Sequence, residues 1–102
     1  MITIDKSYNG KKILAQKGDI IELQLDENPT TGYIWKINSF DNKHLNYLEN
    51  KYQKSIEAIG AGGIRTFSFE AIDKGSGELH VSLGNPWEQD AEDSLYVTIN
   101  VT

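Results

Sequence analysis

The chain contains no cysteine. Disulfide bonds, thiolate metal ligands and a cysteine nucleophile are therefore excluded, and packing alone has to stabilise the fold. Histidine is scarce as well, because only His44 and His80 are available as a catalytic base or a metal ligand. The acidic stretch from Glu88 to Asp93 lacks the glycine-centred spacing of a calcium loop. We expect neither a metal site nor a cofactor.

Positive charge and long apolar runs are also lacking. The net charge is -5, and no lysine cluster is denser than Lys11-Lys12, so we expect no nucleic-acid partner. No stretch approaches the ~18 apolar residues of a membrane span, and we expect no membrane partner. No charged and then apolar leader precedes the first strand pattern. The compartment stays open: cytoplasmic for the chain as given, extracellular or periplasmic if a leader was removed.

The length of the chain is that of one domain. Its 102 residues can bury about 60 to 70% of their unfolded surface. Hydrophobic content of 38% and charged content of 25% are typical of an ordinary soluble globular domain. No internal repeat, low-complexity tract or linker is present. We expect a single domain over residues 1–102 and a monomer.

Apolar residues recur at every second position in four segments, which places them on one face of a strand. These residues are Ile21, Leu23 and Leu25; Phe67, Phe69 and Ala71; Leu79, Val81 and Leu83; and Leu95, Val97, Ile99 and Val101. Further short strands between turn signals bring the number to seven or eight, and nothing demands a parallel sheet. The sequence predicts an all-β, antiparallel β-sandwich.

Two segments need separate interpretation. Near the start, Asn9-Gly10 favours a tight turn between strands around residues 2–4 and 13–15. Between residues 43 and 59, apolar side chains fall at spacings of three and four, as on a helix, but Tyr47 and Tyr52 favour strands and every neighbouring segment is β. We favour strand or irregular extended chain there.

Three short clusters lie in the gaps between the predicted strands, and each is therefore a loop. They are Asn28-Pro29-Thr30-Thr31-Gly32-Tyr33, Gly60-Ala61-Gly62-Gly63 and Asn85-Pro86-Trp87. In the first, Pro29 fixes its own φ and Gly32 permits a φ that other residues resist, which predicts a pre-ordered tip suited to tight binding. A plain turn capped by Asn28 is the simpler interpretation of the same residues.

The other two loops differ in character. The glycines of the second loop leave its backbone open to close approach by another backbone, although a hinge or a bulge would explain them too. In the third loop, Trp87 lies in a polar setting, and an exposed tryptophan is often an interface anchor. Alternatively its ring folds back over the end of the sandwich. Trp35, beside Ile34 and Ile37, is expected to pack in the core or at an edge.

Catalysis is not expected. His80 shares an outward strand face with Glu78 and Ser82, but side chains two apart on an exposed face cannot form a desolvated pocket. His44, beside Lys43 in a polar segment, is interpreted as a solvated surface residue.

The three clusters, in this order and spacing, resemble the chagasin family of inhibitors of papain-like cysteine peptidases. That family carries an Asn-Pro-Thr-Thr-Gly-aromatic loop, a Gly-x-Gly-Gly loop and an Arg-Pro-Trp loop. The first motif matches at all six positions and the second matches fully, whereas Asn85 stands where the family usually has arginine. The likeness spans nearly the whole chain, including the Asn9-Gly10 turn and residues 49–52.

The resemblance implies an immunoglobulin-like sandwich whose three loops lie side by side as a wedge that plugs the peptidase cleft. By position, the first loop would occupy the middle of the cleft, with Thr31 nearest the catalytic cysteine and histidine of the target. Trp87 would cover the primed side, and the glycine loop would follow the unprimed side through main-chain hydrogen bonds. The implied action is reversible, tight-binding inhibition of a papain-like cysteine peptidase.

A different binding module on the same architecture is the alternative. A carbohydrate-binding or adhesion domain would use Trp87 and Tyr33 as stacking platforms. Sugar sites usually array several aromatic side chains in one plane, whereas these loops combine one tryptophan with small and β-branched residues.

Overall fold

The computed structural model describes residues 1–55 and 62–102. Its eight strands are β1 Ile2–Ile4, β2 Lys12–Ala15, β3 Ile20–Glu27, β4 Ile34–Phe40, β5 Leu45–Lys54, β6 Gly63–Ala71, β7 Gly75–Gly84 and β8 Asp93–Val101. Two short 3-10 helices, Lys6–Tyr8 and Pro29–Thr31, interrupt the connections. No helix in these two ranges is long and apolar enough to cross a membrane.

The strands form two four-stranded sheets. The first has the order β1-β3-β6-β5 and the second the order β2-β8-β7-β4. The alternating apolar residues of β3, β6, β7 and β8 face one another between the sheets, where Phe67 and Phe69 are the largest fully buried side chains. The predicted all-β, immunoglobulin-like sandwich is confirmed.

Two outer strands pair in a way that the sequence did not indicate. The predicted strands near residues 2–4 and 13–15 exist, but they do not form a hairpin, because β1 pairs parallel with β3 and β2 pairs parallel with β8. A 3-10 turn and the Asn9-Gly10 segment carry the chain from one sheet to the other. There Asn9 Oδ1 accepts a hydrogen bond from the Tyr96 backbone N–H at 2.8 Å, and the Gly10 N–H donates to the Tyr96 carbonyl at 2.7 Å.

The ambiguous segment is a strand over its described part. β5 forms an edge of the first sheet and pairs antiparallel with β6, with a bulge between Tyr47 and Glu49. The Tyr47 ring lies 5.5 Å from the Phe69 ring, centroid to centroid, so this side chain covers the end of the core. The remaining helix-spaced positions, Ile56 and Ile59, lie outside the described residues.

His44 is less exposed than the sequence suggests. Its side chain is 21% exposed, with Nε2 at 3.9 Å from Asp41 Oδ2 and Nδ1 at 3.3 Å from the Asp73 carbonyl oxygen. His44 is therefore a half-buried surface residue rather than a fully solvated one, because the two connections that precede β5 and β7 meet at its ring. That end of the sandwich carries none of the three motif loops.

Strand register places the three motif loops at the opposite end. Glu27 at the end of β3 is opposite Gly63 at the start of β6, and Gly63 is opposite Lys54 at the end of β5. In the other sheet, Ile34 at the start of β4 is opposite Gly84 at the end of β7. The connections β3–β4, β5–β6 and β7–β8 therefore all leave the sandwich from one end, which we call the loop pole.

Candidate functional site

The first loop, residues 28–33, is an ordered turn rather than a flexible connection. Asn28 is extended at φ -120° and its Oδ1 accepts hydrogen bonds from the backbone N–H and the hydroxyl of Thr30, at 3.1 and 2.8 Å. Pro29 opens the 3-10 helix, and Gly32 closes it in the left-handed region at φ 82°. The cap at Asn28 and the ordered tip are therefore compatible interpretations of one structure.

Hydrogen bonds between the loop's own polar groups hold the tip of the first loop. The Thr31 hydroxyl donates to the Asn28 carbonyl at 2.8 Å and accepts from the Tyr33 N–H at 3.2 Å. The N–H groups of Thr31 and Gly32 donate to the carbonyls of Asn28 and Pro29. Because these bonds form within the loop, the tip keeps its shape while it is exposed to a partner.

The base of the first loop is closed by Trp35. Its backbone N–H donates to Glu27 Oε1 at 2.7 Å, and its indole Nε1 donates to the Asp26 carbonyl at 2.9 Å. The indole is buried, as expected for a core position. These two bonds tie the end of β3 to the start of β4.

A buried ion pair lies beneath this base. The Glu27 side chain is fully buried, and Arg65 holds it with Nη2 at 2.6 Å from Oε2 and Nε at 3.2 Å from Oε1. Sequence reasoning missed the pair, although a signal was present. Glu27 extends the inward series of β3, and Arg65 precedes the inward series of β6, so both charges fall on the core face of their strands.

Only the C-terminal end of the second loop is described. Gly60 and Ala61 lie outside the described residues, whereas Gly62 is buried and has φ 78°. A Cβ added at Gly62 would lie 2.7 Å from the Glu27 carbonyl oxygen, and one added at Gly63 would lie 2.1 Å from the Gln53 carbonyl oxygen. These two glycines let the stem of the second loop approach neighbouring backbone, the stem of the first loop included.

The third loop is open and acidic. Trp87 is 78% exposed, which excludes the alternative that its ring folds back over the sandwich. Asn85 Oδ1 caps the turn by accepting the Glu88 N–H at 2.9 Å, and the Glu92 N–H closes the loop on the Leu83 carbonyl. Pro86 is exposed between them.

Electrostatic contact joins the third loop to the first. The Tyr33 hydroxyl donates to Glu88 Oε1 at 3.4 Å. The negative charge of Glu88 chiefly raises the pKa of Tyr33 above its ordinary value, with desolvation and the charge of Glu92 adding to the shift. The raised pKa favours the protonated hydroxyl of Tyr33, which is the donor to the third loop.

An open depression of about 1000 Å³ lies between the loop stems. Its walls come from all three connections and include Asn28, Thr31, Tyr33, Ser55, Gly63 and Glu92. All the predicted site residues that the structure describes lie at the loop pole.

The described residues do not form a catalytic constellation. The His80 ring stacks on Tyr96 at 3.9 Å and 6° between planes, and Ser82 is buried. Within residues 1–55 and 62–102, no group of three or more histidine, aspartate or glutamate side chains is arranged to hold a metal ion. An immunoglobulin-like sandwich that brings three connections to one pole, the first of them an ordered turn, has the form of a binding protein.

The chain belongs to the chagasin family of peptidase inhibitors: the family model, Chagasin family peptidase inhibitor I42, matches residues 15–101. This confirms the family that the three motifs predict, and it supports an inhibitor over an enzyme or a sugar-binding module.

Relatives agree with this assignment over almost the whole length. Chagasin of Trypanosoma cruzi is 29% identical over 101 residues, which cover 94% of this chain and 92% of chagasin. Amoebiasin-1 of Entamoeba histolytica is 26% identical, with 98% and 99% of the two chains covered. The crystal structure of the cysteine protease inhibitor EhICP2 from Entamoeba histolytica has a TM-score of 0.86 and covers 99% of this chain and 94% of that one. At 18% identity this last likeness bears on the fold alone.

The close approach at Gly63 gives a stability prediction. Gly63→Ala should lower the free energy of unfolding by about 1–3 kcal/mol, because the new methyl group meets backbone on the neighbouring strand. Gly84→Ala is the matched control, since Gly84 also ends a strand at the loop pole but has nothing within 4 Å of an added Cβ. Urea denaturation of both variants measures the difference, and equal stabilities would contradict the packing role of Gly63.

Proposed function

We propose that this chain inhibits papain-like cysteine peptidases by placing its three loops in the active-site cleft. The observation that most supports this proposal is the loop pole, where an internally hydrogen-bonded first loop lies beside a third loop with an exposed tryptophan. The contact residues are the described Asn28, Pro29, Thr30, Thr31, Gly32, Tyr33, Gly62, Gly63, Asn85, Pro86 and Trp87, together with Gly60 and Ala61.

The first loop occupies the middle of the cleft in this proposal, with Thr31 facing the catalytic cysteine and histidine. Its shape is set before contact by the Asn28 cap and by Gly32, so little conformational entropy is lost on binding. Preorganisation of this kind favours a slow dissociation rate and hence tight inhibition.

The same turn geometry supports resistance to cleavage. The carbonyls of Asn28 and Pro29 already accept hydrogen bonds from the N–H groups of Thr31 and Gly32. The Asn28 carbonyl also accepts the Thr31 hydroxyl, so both of its acceptor sites are used, and it would have to give up a partner before it could enter an oxyanion hole as a substrate carbonyl does. The loop is therefore held as an occupant of the cleft that is not cut.

The flanking loops extend the contact on both sides. Trp87 covers the primed side as a large, exposed anchor, and the glycine loop follows the unprimed side through main-chain hydrogen bonds. Three loops can supply an interface of standard size, about 1,600 Å² in total. Nanomolar inhibition corresponds to roughly -12 kcal/mol.

Substitution of Thr31 tests the centre of the contact. Thr31→Asp should raise the inhibition constant against papain by about a hundredfold or more, because it places an unpaired charge in a desolvated cleft. Ser76→Asp adds the same charge to an exposed position at the far end of β7 and should leave inhibition unchanged. A Thr31 variant that inhibits as well as the wild type would remove Thr31 from the mechanism.

The exposed indole gives a second prediction. Trp87→Ala should cost ~2 kcal/mol of binding, about a thirtyfold rise in the inhibition constant, as loss of an interface anchor does. Leu14→Ala is the control, since Leu14 is 70% exposed but lies on β2, away from the loop pole. Calorimetric titration of an inactivated papain-like peptidase measures both, and equal affinities would show that Trp87 lies outside the contact.

Asn85 gives a third prediction, because the family motif usually carries arginine there. Asn85→Arg should raise affinity about two- to fivefold for peptidases with acidic primed subsites, the gain expected of one exposed ion pair. Enzymes with neutral or basic primed subsites serve as the comparison in the same panel of inhibition assays. If no enzyme of the panel is inhibited more strongly, position 85 is peripheral to the interface.

A further inference from the structure

The two ends of the first loop are joined by two hydrogen bonds, both donated by Trp35. The Glu27 carboxylate accepts the Trp35 backbone N–H, and the Trp35 indole N–H donates to the Asp26 carbonyl. Because Trp35 donates one bond from its backbone and one from its indole to adjacent residues of β3, the two bonds fix both the separation and the relative orientation of β3 and β4 there. The conformation of residues 28–33 depends on this base.

The hydrogen bond from the Trp35 N–H does not by itself require a charged acceptor. A neutral amide would accept the same hydrogen bond without the cost of burying a charge, and buried ion pairs contribute little net stability compared with apolar side chains. The guanidinium fork of Arg65 binds both carboxylate oxygens and so fixes the plane of the carboxylate. The pair therefore supplies orientation rather than stability.

Arg65 also reaches the stems of the second loop. Its Nη1 donates to Asn50 Oδ1 at 2.8 Å on β5, and its guanidinium lies 5.2 Å from the centre of the Tyr52 ring. The Tyr52 hydroxyl in turn donates to the Glu27 carbonyl oxygen at 3.3 Å. One guanidinium thus links the base of the first loop with β5 and β6, the two strands that carry the second loop.

We propose that Glu27 and Arg65 are positioning residues of the inhibitor: their ion pair, which we call the clamp, holds the first loop in its inhibitory shape and sets its place relative to the second. The clamp acts on the peptidase through the loops and does not touch it. This inference rests on the proposed function for its effect on inhibition, whereas its effect on loop shape stands independently.

The double variant Glu27→Gln/Arg65→Met tests the clamp. Gln retains an acceptor for the Trp35 N–H and a similar volume, and Met replaces the guanidinium stem without leaving a buried charge unpaired. Glu49→Gln/Lys51→Gln is the matched control, because it removes an exposed ion pair from β5 at the same net charge. Inhibition of papain is measured at a temperature where thermal unfolding shows each variant to be fully folded.

We expect the clamp variant to raise the inhibition constant about tenfold, which corresponds to ~1.4 kcal/mol, and the control to leave it unchanged. Amide hydrogen exchange without peptidase should quicken at Thr31 and Gly32 in the clamp variant, while core amides such as that of Phe67 stay protected. A purely structural role would lower protection throughout and would not single out the first loop.

A second variant covers the case in which the double variant does not fold. Arg65→Lys keeps the positive charge but loses the planar fork, so inhibition should weaken and the amides of Thr31 and Gly32 should exchange faster. Wild-type inhibition with unchanged exchange, in either folded variant, overturns the clamp and leaves the proposed function intact. If the wild type inhibits no papain-like enzyme, the proposed function fails instead, and exchange at the loop still decides whether the clamp holds its shape.

Discussion

The rest of the loop pole depends on one buried carboxylate. Glu27 is cut off from water, so its charge has to be met by the Arg65 guanidinium and its Oε1 by the Trp35 N–H whenever the sandwich is folded. Glu27 and these two partners lie on three different strands, β3, β4 and β6. The shape of the first loop is therefore a consequence of assembling the sandwich, and the loop does not need a peptidase to acquire it.

The three loops are attached to the scaffold to different degrees. The first and second share a packed base, because Gly62 lies against the Glu27 carbonyl and the Arg65 guanidinium reaches both stems. The third loop meets them at the surface through the Tyr33–Glu88 hydrogen bond and presents Trp87 to solvent. The pole thus combines a first loop held by buried contacts at its base with an anchor held at the surface, which suits a wedge that must fit a groove and then cover its rim.

The strands and the motif loops could be predicted from the sequence because both have local sequence signals. Alternation marks Phe67, Phe69 and their counterparts, and Pro29 with Gly32 marks a constrained turn. The parallel pairing of β1 with β3 and of β2 with β8 could not be predicted, since partner choice is set by tertiary contacts that Asn9-Gly10 does not encode. The Glu27–Arg65 pair also required the register of β3 against β6, and the packing role of Gly63 required the position of the neighbouring backbone.

The loop pole is expected to block the cleft of a papain-like peptidase without being consumed. Titrating papain with the intact protein, with hydrolysis of a short peptide substrate as the signal, tests this most directly. The account predicts that activity falls in proportion to added protein until one equivalent is present, and that the chain is recovered uncut. Full activity in the presence of excess protein, or cleavage within residues 28–33, would contradict it.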